Sequence, residues 1–304
     1  MKLNFLPAEK AFTHLPEEIV GKPEKADVII IPFGLENSVS YGGGTSKGPQ
    51  AMIDASSELE FFDEDLWCEP IRNFGIATLK AEVINKNLDK AIDQLENIVE
   101  EVLKLKKFPF TFGGEHSITA GTIRPFARRY KNLAVLHFDA HADLRDGYLG
   151  VKYSHAAALR RVLDHKQVTT LISCGIRNIS AEEIPFYEKE SKMGRITIHW
   201  GKDRTKWDYD KIVAPLKGRD VYLTFDVDGF DASLMPATGT PEPGGILWED
   251  AMQIIKRAAK ISNIVGADIN ELAPIKNWHA SDFLAAKLAY KILSFKFCKD
   301  RIKL

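Results

Sequence analysis

Cysteine is scarce in this sequence, which has three cysteines among 304 residues, at Cys68, Cys174 and Cys298. An odd number of widely spaced cysteines does not make a disulfide framework, so we expect reduced thiols. No apolar run approaches the roughly 20 residues that a membrane-spanning helix needs. The N-terminal residues turn polar too early for a signal peptide. Together these absences predict a cytoplasmic protein.

The chain also lacks an excess of charge of either sign, since 41 Lys and Arg residues balance 42 Asp and Glu residues. Proteins that bind nucleic acids or charged membrane surfaces usually carry a basic excess or a basic arm. We therefore expect neither nucleic acid nor membrane among the partners. The share of hydrophobic residues, 45%, is that of an ordinary globular protein with a substantial core.

Short β-branched segments alternate with longer amphipathic segments along the chain, which is typical of a parallel sheet covered by helices. The predicted strands are 27–32, 108–112, 133–138, 169–174, 195–199, 221–225 and 264–269, and the predicted helices are 49–59, 88–105, 155–163, 181–189, 248–261 and 281–295. No linker or internal repeat divides the sequence. We therefore predict one α/β domain over residues 1–304, with three α/β/α layers and a mainly parallel central sheet.

Six acidic and histidine side chains follow the ends of three predicted strands. They are His116 after the second strand, Asp139, His141 and Asp143 after the third, and Asp226 and Asp228 after the sixth. Because alternate residues of an extended chain point to the same side, the acids after each strand can share one face. Ligand sites of parallel sheets lie beyond the carboxyl ends of the strands. We therefore expect the six side chains to meet in one pocket.

Four carboxylates and two imidazoles in one pocket would repel and desolvate one another unless cations offset their charge. The set is too anionic for one catalytic zinc ion, which usually has three protein ligands. Oxygen and nitrogen ligands without thiolates suit two borderline-hard cations, with Mn²⁺ favoured over Zn²⁺. Two such ions about 3.5–4 Å apart would lower the pKa of a shared water. The sequence predicts two Mn²⁺ per chain and a cationic substrate.

Each motif is open to a simpler interpretation when it is taken alone. Asp226 and Asp228 could be solvated loop carboxylates, and the glycine-containing segment 113–117 could be a turn in which Ser117 caps a helix. We expect His137 to pack under the site rather than to bind metal. The occurrence of all the motifs at strand ends of one chain nevertheless favours a metal site.

Three segments resemble the metal signatures of the ureohydrolases, the family of arginases and agmatinases. They are 113–117, 139–143 and 224–231, which read Gly-Gly-Glu-His-Ser, Asp-Ala-His-Ala-Asp and Thr-Phe-Asp-Val-Asp-Gly-Phe-Asp. The loops 41–49 and 238–245 resemble the glycine- and proline-containing loops of this family, and the resemblance covers most of the chain. It implies an arginase-like α/β/α fold and a binuclear manganese centre.

The resemblance also implies individual roles for the six residues. Asp139 and Asp226 would bridge the two ions, His116 and Asp143 would complete one ion, and His141 and Asp228 would complete the other. In the reaction of the family, a water activated between the ions attacks a guanidinium carbon, and the tetrahedral intermediate collapses to urea and an amine.

Two further residues acquire catalytic roles from the resemblance, in addition to Asp143. Glu271 matches the glutamate that pairs with the substrate guanidinium, and a carboxylate suits that planar cation. His155 matches the histidine that relays protons to the leaving amine, work that a free imidazole can do near neutral pH. Without the resemblance, we would interpret Glu271 as a solvated acid and His155 as a histidine at a helix end.

The segments 143–155 and 241–245 resemble agmatinases more than arginases. Arginases carry Asn- and Ser-rich residues before the catalytic histidine, which grip the α-carboxylate and α-amino groups of arginine. The segment 148–153, Tyr-Leu-Gly-Val-Lys-Tyr, lacks them, which favours agmatine as the substrate and putrescine and urea as the products. A guanidino acid stays open, because Arg145 or Lys152 could meet a carboxylate.

Other functions are also compatible with the sequence. The chain could be a ureohydrolase that acts on arginine, on a guanidino acid or on a formimino compound, or a one-zinc amide hydrolase. It could also be a non-catalytic member that keeps its metals for stability. Since relatives commonly form trimers or hexamers, the resemblance also implies a homo-oligomer.

Overall fold

The computed structural model describes residues 3–304, so Met1 and Lys2 of the predicted domain lie outside the described residues. Parallel strands form one sheet. In chain order they are β1 (Val28–Phe33), β2 (Ile76–Thr78), β3 (Phe108–Gly113), β4 (Leu133–Phe138), β5 (Val168–Cys174), β6 (Ile196–His199), β7 (Asp220–Asp226) and β8 (Asn263–Asn270). The spatial order is β2-β1-β3-β8-β7-β4-β5-β6, with parallel pairing throughout.

Helices cover both faces of this sheet, as predicted. They are α1 (Glu17–Val20), α2 (Gly48–Ala55), α3 (Leu88–Lys104), α4 (Thr119–Arg129), α5 (Ala158–Leu163), α6 (Ile184–Lys192), α7 (Tyr209–Val213), α8 (Trp248–Ile261) and α9 (Ala280–Phe297). One face packs against α3, α4 and α5, and the other against α2, α7, α8 and α9. Among residues 3–304, no helix has both the length and the apolar character that crossing a bilayer requires.

Alternate residues of the strands supply the two cores. In β1, Val28 and Ile30 belong to one core, and Ile29 and Ile31 belong to the other. Because both faces of the sheet are covered, the strands appear in the sequence as continuous apolar runs rather than as alternating ones. The predicted α/β class with a parallel sheet is confirmed.

The helix α4, which leads directly away from the predicted metal site, is not predicted from the sequence. Gly121 and Pro125 lie inside this helix and lower its intrinsic helix propensity. A Cβ atom at Gly121 would lie only 2.7 Å from the carbonyl oxygen of Ile92. The glycine that weakens the helical pattern therefore allows α3 and α4 to pack closely, and tertiary contacts override propensity. The short elements β2, α1 and α7 were also not predicted.

Several predicted boundaries differ from the observed ones. The predicted helix 155–163 begins with a 3₁₀ turn at His155–Ala157 before α5. The predicted helix 49–59 ends at Ala55 and continues as a second 3₁₀ turn, at Ser56–Glu58.

The register of the four central strands determines where the motifs lie. Phe112 of β3 pairs with Ile269 of β8, which pairs with Phe225 of β7, which in turn pairs with Phe138 of β4. The polar motifs follow these residues, so they begin at the same level on the carboxyl edge of the sheet. In open α/β sheets this edge is where ligands bind.

A second charged cluster lies away from this edge, around Lys291 of α9. The Lys291 side chain is 1% exposed, and its Nζ lies 3.1 Å from Asp63 Oδ2, 3.0 Å from Glu64 Oε1 and 2.9 Å from Asp65 Oδ2. Lys256 of α8 contacts the other Asp65 oxygen at 2.9 Å. These ion pairs attach the segment 63–65 to both helices.

We expect Lys291→Met to lower the free energy of unfolding by about 3–5 kcal/mol, because the buried Asp63 carboxylate would lose its cation. Lys287→Met is the matched control on the same helix. The Lys287 ammonium donates to the carbonyl oxygen of Glu60 at 3.3 Å, so its removal should cost less than about 1 kcal/mol. Urea-induced unfolding at fixed protein concentration measures both values, and equal stabilities of the two variants would contradict the prediction.

The stability difference between wild type and Lys291→Met should also depend on pH. Burial alone would raise the pKa values of Glu64 and Asp65. Both pKa values are nevertheless lowered, in part by hydrogen bonds from Lys291. A carboxylate with a lowered pKa adds stability above its unfolded pKa of about 4 and loses this contribution as the pH falls. The difference should therefore be largest near pH 7 and smaller near pH 3.

Candidate active site

The structure brings the six predicted metal-binding side chains together at the carboxyl edge of β3, β4 and β7. Five of them, all but Asp139, line a cavity of about 180 Å³, and Asp139 is fully buried beside them. Glu271 and His155 line the same cavity. All the residues predicted for this site therefore lie in one place.

His116 is surrounded by three carboxylates. Its Nδ1 lies 3.1 Å from Asp139 Oδ2, 3.2 Å from Asp143 Oδ2 and 3.4 Å from Asp226 Oδ2. The other ring nitrogen, Nε2, lies 2.8 Å from Thr224 Oγ1, which orients the ring. Among the described residues, the fully buried Nδ1 has no hydrogen-bond partner of suitable geometry. A cation between Nδ1 and the carboxylates would satisfy this nitrogen and offset their charge.

His141 forms a second group beside the first. Its Nδ1 lies 2.9 Å from Asp228 Oδ2 and 3.6 Å from Asp139 Oδ1. The two oxygens of Asp139 thus face different imidazoles, as a carboxylate shared by two cations would. The donor atoms of Asp139, His141 and Asp228 lie within 4.8 Å of one another, close enough to hold one ion. Oxygen and nitrogen donors without thiolate fit divalent cations such as Mn²⁺.

Backbone N–H groups hold one carboxylate oxygen of Asp228 and one of Asp226. Asp228 Oδ1 accepts the backbone N–H of Ala140 at 3.0 Å, and Asp226 Oδ1 accepts that of Asp228 at 2.9 Å. These bonds fix the carboxylate planes. The bridging role of Asp226 stays a prediction, because its Oδ2 alone faces His116.

His137 lies beneath the cluster and contacts Asp139. Its Nε2 is 2.9 Å from Asp139 Oδ2, and its Nδ1 is 3.0 Å from Ser173 Oγ. Burial lowers the pKa of His137 below its usual value, so the ring is neutral. Although its position next to His116 and Asp139 is compatible with metal binding, both ring nitrogens are engaged. We therefore interpret His137 as a residue that orients Asp139.

Without cations, burial and the neighbouring charges would favour the protonated forms of several groups in the cluster. Burial and the neighbouring Asp139 carboxylate raise the pKa of Asp143 to about 7, and burial and Asp228 raise that of Asp226 well above its usual value. Burial opposes protonation of His141, but the charge of Asp228 outweighs it and raises the pKa of His141 to about 12. Since metal ligands must be deprotonated, divalent cations would take the place of these protons.

Two of the site residues have left-handed backbone conformations, at Asp143 with φ 54° and Glu271 with φ 66°. This region is uncommon for residues other than glycine, and such strain is concentrated at functional sites. Glu271 follows β8, and its backbone N–H donates to the carbonyl oxygen of Gly114 at 2.8 Å. Its Oε1 accepts the backbone N–H of His116 at 2.6 Å. Burial raises the pKa of Glu271 well above its usual value, so a cationic partner would favour its ionised form.

His155 lies on the cavity wall at the start of the turn before α5. The Tyr148 ring stands nearly perpendicular to it, with 6.2 Å between the ring centroids. Burial lowers the pKa of His155 below its usual value. The imidazole is therefore neutral near neutral pH and free to exchange a proton.

Of the two cations that could meet a substrate carboxylate, Arg145 lines the cavity. Its guanidinium is already engaged, since it pairs with Glu182 and lies 4.9 Å from the centroid of the Tyr148 ring. The Lys152 ammonium instead lies 5.6 Å from the Tyr153 ring.

Glu115 and Ser38 lie beside the site, and the sequence motifs predict no role for either of them. Glu115 is fully buried and accepts the backbone N–H groups of Asn37 and Ser38 at 2.6 Å each. Ser38 Oγ lies 3.2 Å from Nδ1 of His155. In the sequence, the sign that Glu115 could matter is its position next to His116. Its partners Asn37 and Ser38 lie 78 and 77 residues earlier in the chain, so the sequence does not reveal these contacts.

Comparisons with known proteins agree with this arrangement. The sequence model of the arginase family matches residues 26–294. The chain is 33% identical over 300 residues to the N(1)-aminopropylagmatine ureohydrolase of Synechocystis sp., covering 95% of each protein. It is 31% identical over 264 residues to the agmatinase of Bacillus subtilis, covering 84% of this chain and 88% of the agmatinase. The crystal structure of the agmatine ureohydrolase of Thermoplasma volcanium superimposes with a TM-score of 0.84 at 29% identity, over 97% of each chain.

Proposed function

Since the chain belongs to the arginase family and is a ureohydrolase, we propose that its substrate is agmatine, which it would hydrolyse to urea and putrescine. The observation that carries this proposal is the position of Glu271, a buried carboxylate that lines the same cavity as the two groups of metal-binding side chains. A guanidinium bound to Glu271 would lie beside both groups.

We propose that these groups hold two Mn²⁺ ions. The residues around one ion would be His116, Asp139, Asp143 and Asp226, and those around the other would be Asp139, Asp226, His141 and Asp228. Two such ions supply a water that is nucleophilic near neutral pH. Asp143 would contribute to catalysis through its place beside His116, where its Oδ2 lies 3.2 Å from Nδ1.

Glu271 would bind and orient the guanidinium. A planar guanidinium and a carboxylate form short charge-assisted hydrogen bonds with a defined geometry. The bond from the backbone N–H of His116 holds one oxygen of Glu271 and leaves the other for the substrate. This arrangement would fix the guanidinium carbon relative to the metal ligands, and such positioning accounts for a large part of enzymatic rate enhancement.

His155 would deliver the proton that the leaving nitrogen needs. Cleavage of the guanidino C–N bond places a pair of electrons on this nitrogen, which must gain a proton to depart as an amine. The lowered pKa of His155 makes its protonated form a strong proton donor. His155 lines the cavity, so its ring would be within reach of a bound substrate.

The relatives point to a second candidate, N(1)-aminopropylagmatine. This compound carries the same guanidinobutyl end as agmatine and a longer cationic tail. The relative named for this activity is 33% identical and spans 95% of the chain. The two substrates would bind alike at Glu271 and differ in their contacts with other residues of the cavity wall, which includes Tyr41, Tyr148 and Asn178.

A panel of guanidino compounds tests the proposal with the Mn²⁺-loaded protein. Agmatine, N(1)-aminopropylagmatine, arginine, 4-guanidinobutyrate and a formimino compound are compared by product release, and metal analysis counts the ions. We expect the highest kcat/KM with agmatine and two Mn²⁺ per chain. Highest activity with another compound would reassign the substrate, and about one zinc ion per chain would support an amide hydrolase. Metal-dependent stabilisation without turnover would support a non-catalytic protein.

A further inference from the structure

Glu115 is a buried carboxylate that the proposed mechanism does not use. Donor groups approach both of its oxygens. Oε2 accepts the backbone N–H groups of Asn37 and Ser38, and Oε1 accepts the hydroxyl groups of Ser38 at 2.9 Å and Ser117 at 2.5 Å. Glu115 thus serves as an acceptor in each of these bonds and fixes the segment that contains Ser38.

The Ser38 hydroxyl lies between this carboxylate and His155. A serine hydroxyl has one hydrogen and two lone pairs. Ser38 gives its hydrogen to Glu115, because a hydrogen bond to a carboxylate is stronger than one to a neutral group. Its oxygen is then only an acceptor for other neighbours. One of these is the backbone N–H of His155, at 3.0 Å.

The second neighbour of this oxygen is the ring nitrogen Nδ1 of His155, at 3.2 Å. Two lone pairs facing each other at this distance would repel, so Nδ1 has to carry the hydrogen. In a neutral imidazole with hydrogen on Nδ1, Nε2 has the lone pair. Ser154 Oγ, at 3.4 Å from Nδ1, is the more distant of the two hydroxyl groups beside the ring.

We propose that Glu115 and Ser38 are positioning residues that hold His155 in the tautomer with hydrogen on Nδ1. In this tautomer Nε2 is free to take a proton and pass it to the leaving nitrogen. The catalytic consequence rests on the proposed function, whereas the tautomer itself does not.

Nitrogen-15 NMR of the histidine side chains tests the tautomer without any turnover. The metal-free protein at pH 8 is diamagnetic, and the His155 signals are assigned by their loss in His155→Asn. We expect a protonated Nδ1 and an unprotonated Nε2 in wild type, and a mixture of tautomers in Ser38→Ala. A hydrogen on Nε2 in wild type, or an unchanged His155 spectrum in Ser38→Ala, would overturn the proposal.

Kinetics with the best substrate of the panel test the consequence. Ser38→Ala should lower kcat by about 10- to 100-fold. A positioned general acid contributes a rate enhancement of roughly 10²–10⁴-fold, and the variant should lose part of it. KM and metal content should change little. Ser38→Thr keeps a hydroxyl and should recover most of the activity.

Asn37→Ala is the matched control for these variants. Its exposed side chain donates to the carbonyl oxygen of Lys86, so kcat should stay close to wild type. A normal kcat in Ser38→Ala, or a loss of kcat in Ser154→Ala but not in Ser38→Ala, would refute the role of Ser38. An inactive wild type with the expected NMR spectrum would refute the proposed function and leave the tautomer established.

Discussion

Asp139→Asn is expected to lose nearly all urea release, with kcat/KM reduced at least about 100-fold. Mutation of a residue that only hydrogen-bonds to a metal ligand already lowers metal affinity or activity by about 10- to 100-fold. Both oxygens of Asp139 are in use. Oδ2 faces the rings of His116 and His137, and Oδ1 faces the His141 ring. An amide would place an NH₂ group at one of these positions, where it can neither bind a cation nor accept a hydrogen bond.

Metal analysis should accompany this measurement, because the variant should also hold less than two ions per chain. Asp146→Asn is the matched control, since the Asp146 side chain is 76% exposed and its buried partner, Arg161, keeps an ion pair with Asp164. This control should keep nearly full activity. Two bound ions together with more than half of the wild-type activity in Asp139→Asn would show that Asp139 is not a shared ligand.

Glu271→Gln is expected to reduce kcat/KM by about 100- to 3,000-fold while leaving metal content unchanged. Removing one partner from a buried charge pair costs about 3–5 kcal/mol, and each 1.4 kcal/mol corresponds to a factor of ten. Glutamine keeps a carbonyl oxygen that can accept the backbone N–H of His116, so the local structure should persist. The loss should therefore reflect the charge that would pair with the substrate guanidinium.

Steady-state kinetics and metal analysis distinguish this variant from Asp139→Asn, in which both activity and metal content are expected to fall. Glu242→Gln is a suitable control, because its carboxylate accepts a hydrogen bond from Asn178 at the rim of the site. We expect a change of less than about tenfold in kcat/KM for this control. A Glu271→Gln variant with the kinetics of wild type would mean that another group binds the guanidinium.

The sequence was sufficient to predict the class of fold and most of its strands. The strand predicted at 133–138 and the helix predicted at 248–261 have the observed boundaries. Apolar runs and helical periodicity are local, so they can be seen without knowledge of contacts. The helix α4 was not predicted, because Gly121 weakens its helical pattern. This glycine is required by a close contact with Ile92, which lies on α3.

The candidate metal ligands were also predicted from local patterns, because each motif is contiguous. The alternation of Asp139, His141 and Asp143 follows from the geometry of one extended segment. Local patterns were not sufficient to predict the roles of Glu271 and His155, since neither residue lies in a motif that is specific by itself. Their selection depended on the resemblance to the ureohydrolases.

By itself, the sequence determined the six candidate metal ligands, because the spacing of a motif is set within a few residues. Only the tertiary structure decided how they face one another. The register across β3, β8, β7 and β4 aligns the ends of strands that lie far apart in the chain. The bonds from Ser38 to Glu115 and His155 span 77 and 117 residues. Such contacts depend on how long connections fold back over the sheet, and no local spacing encodes them.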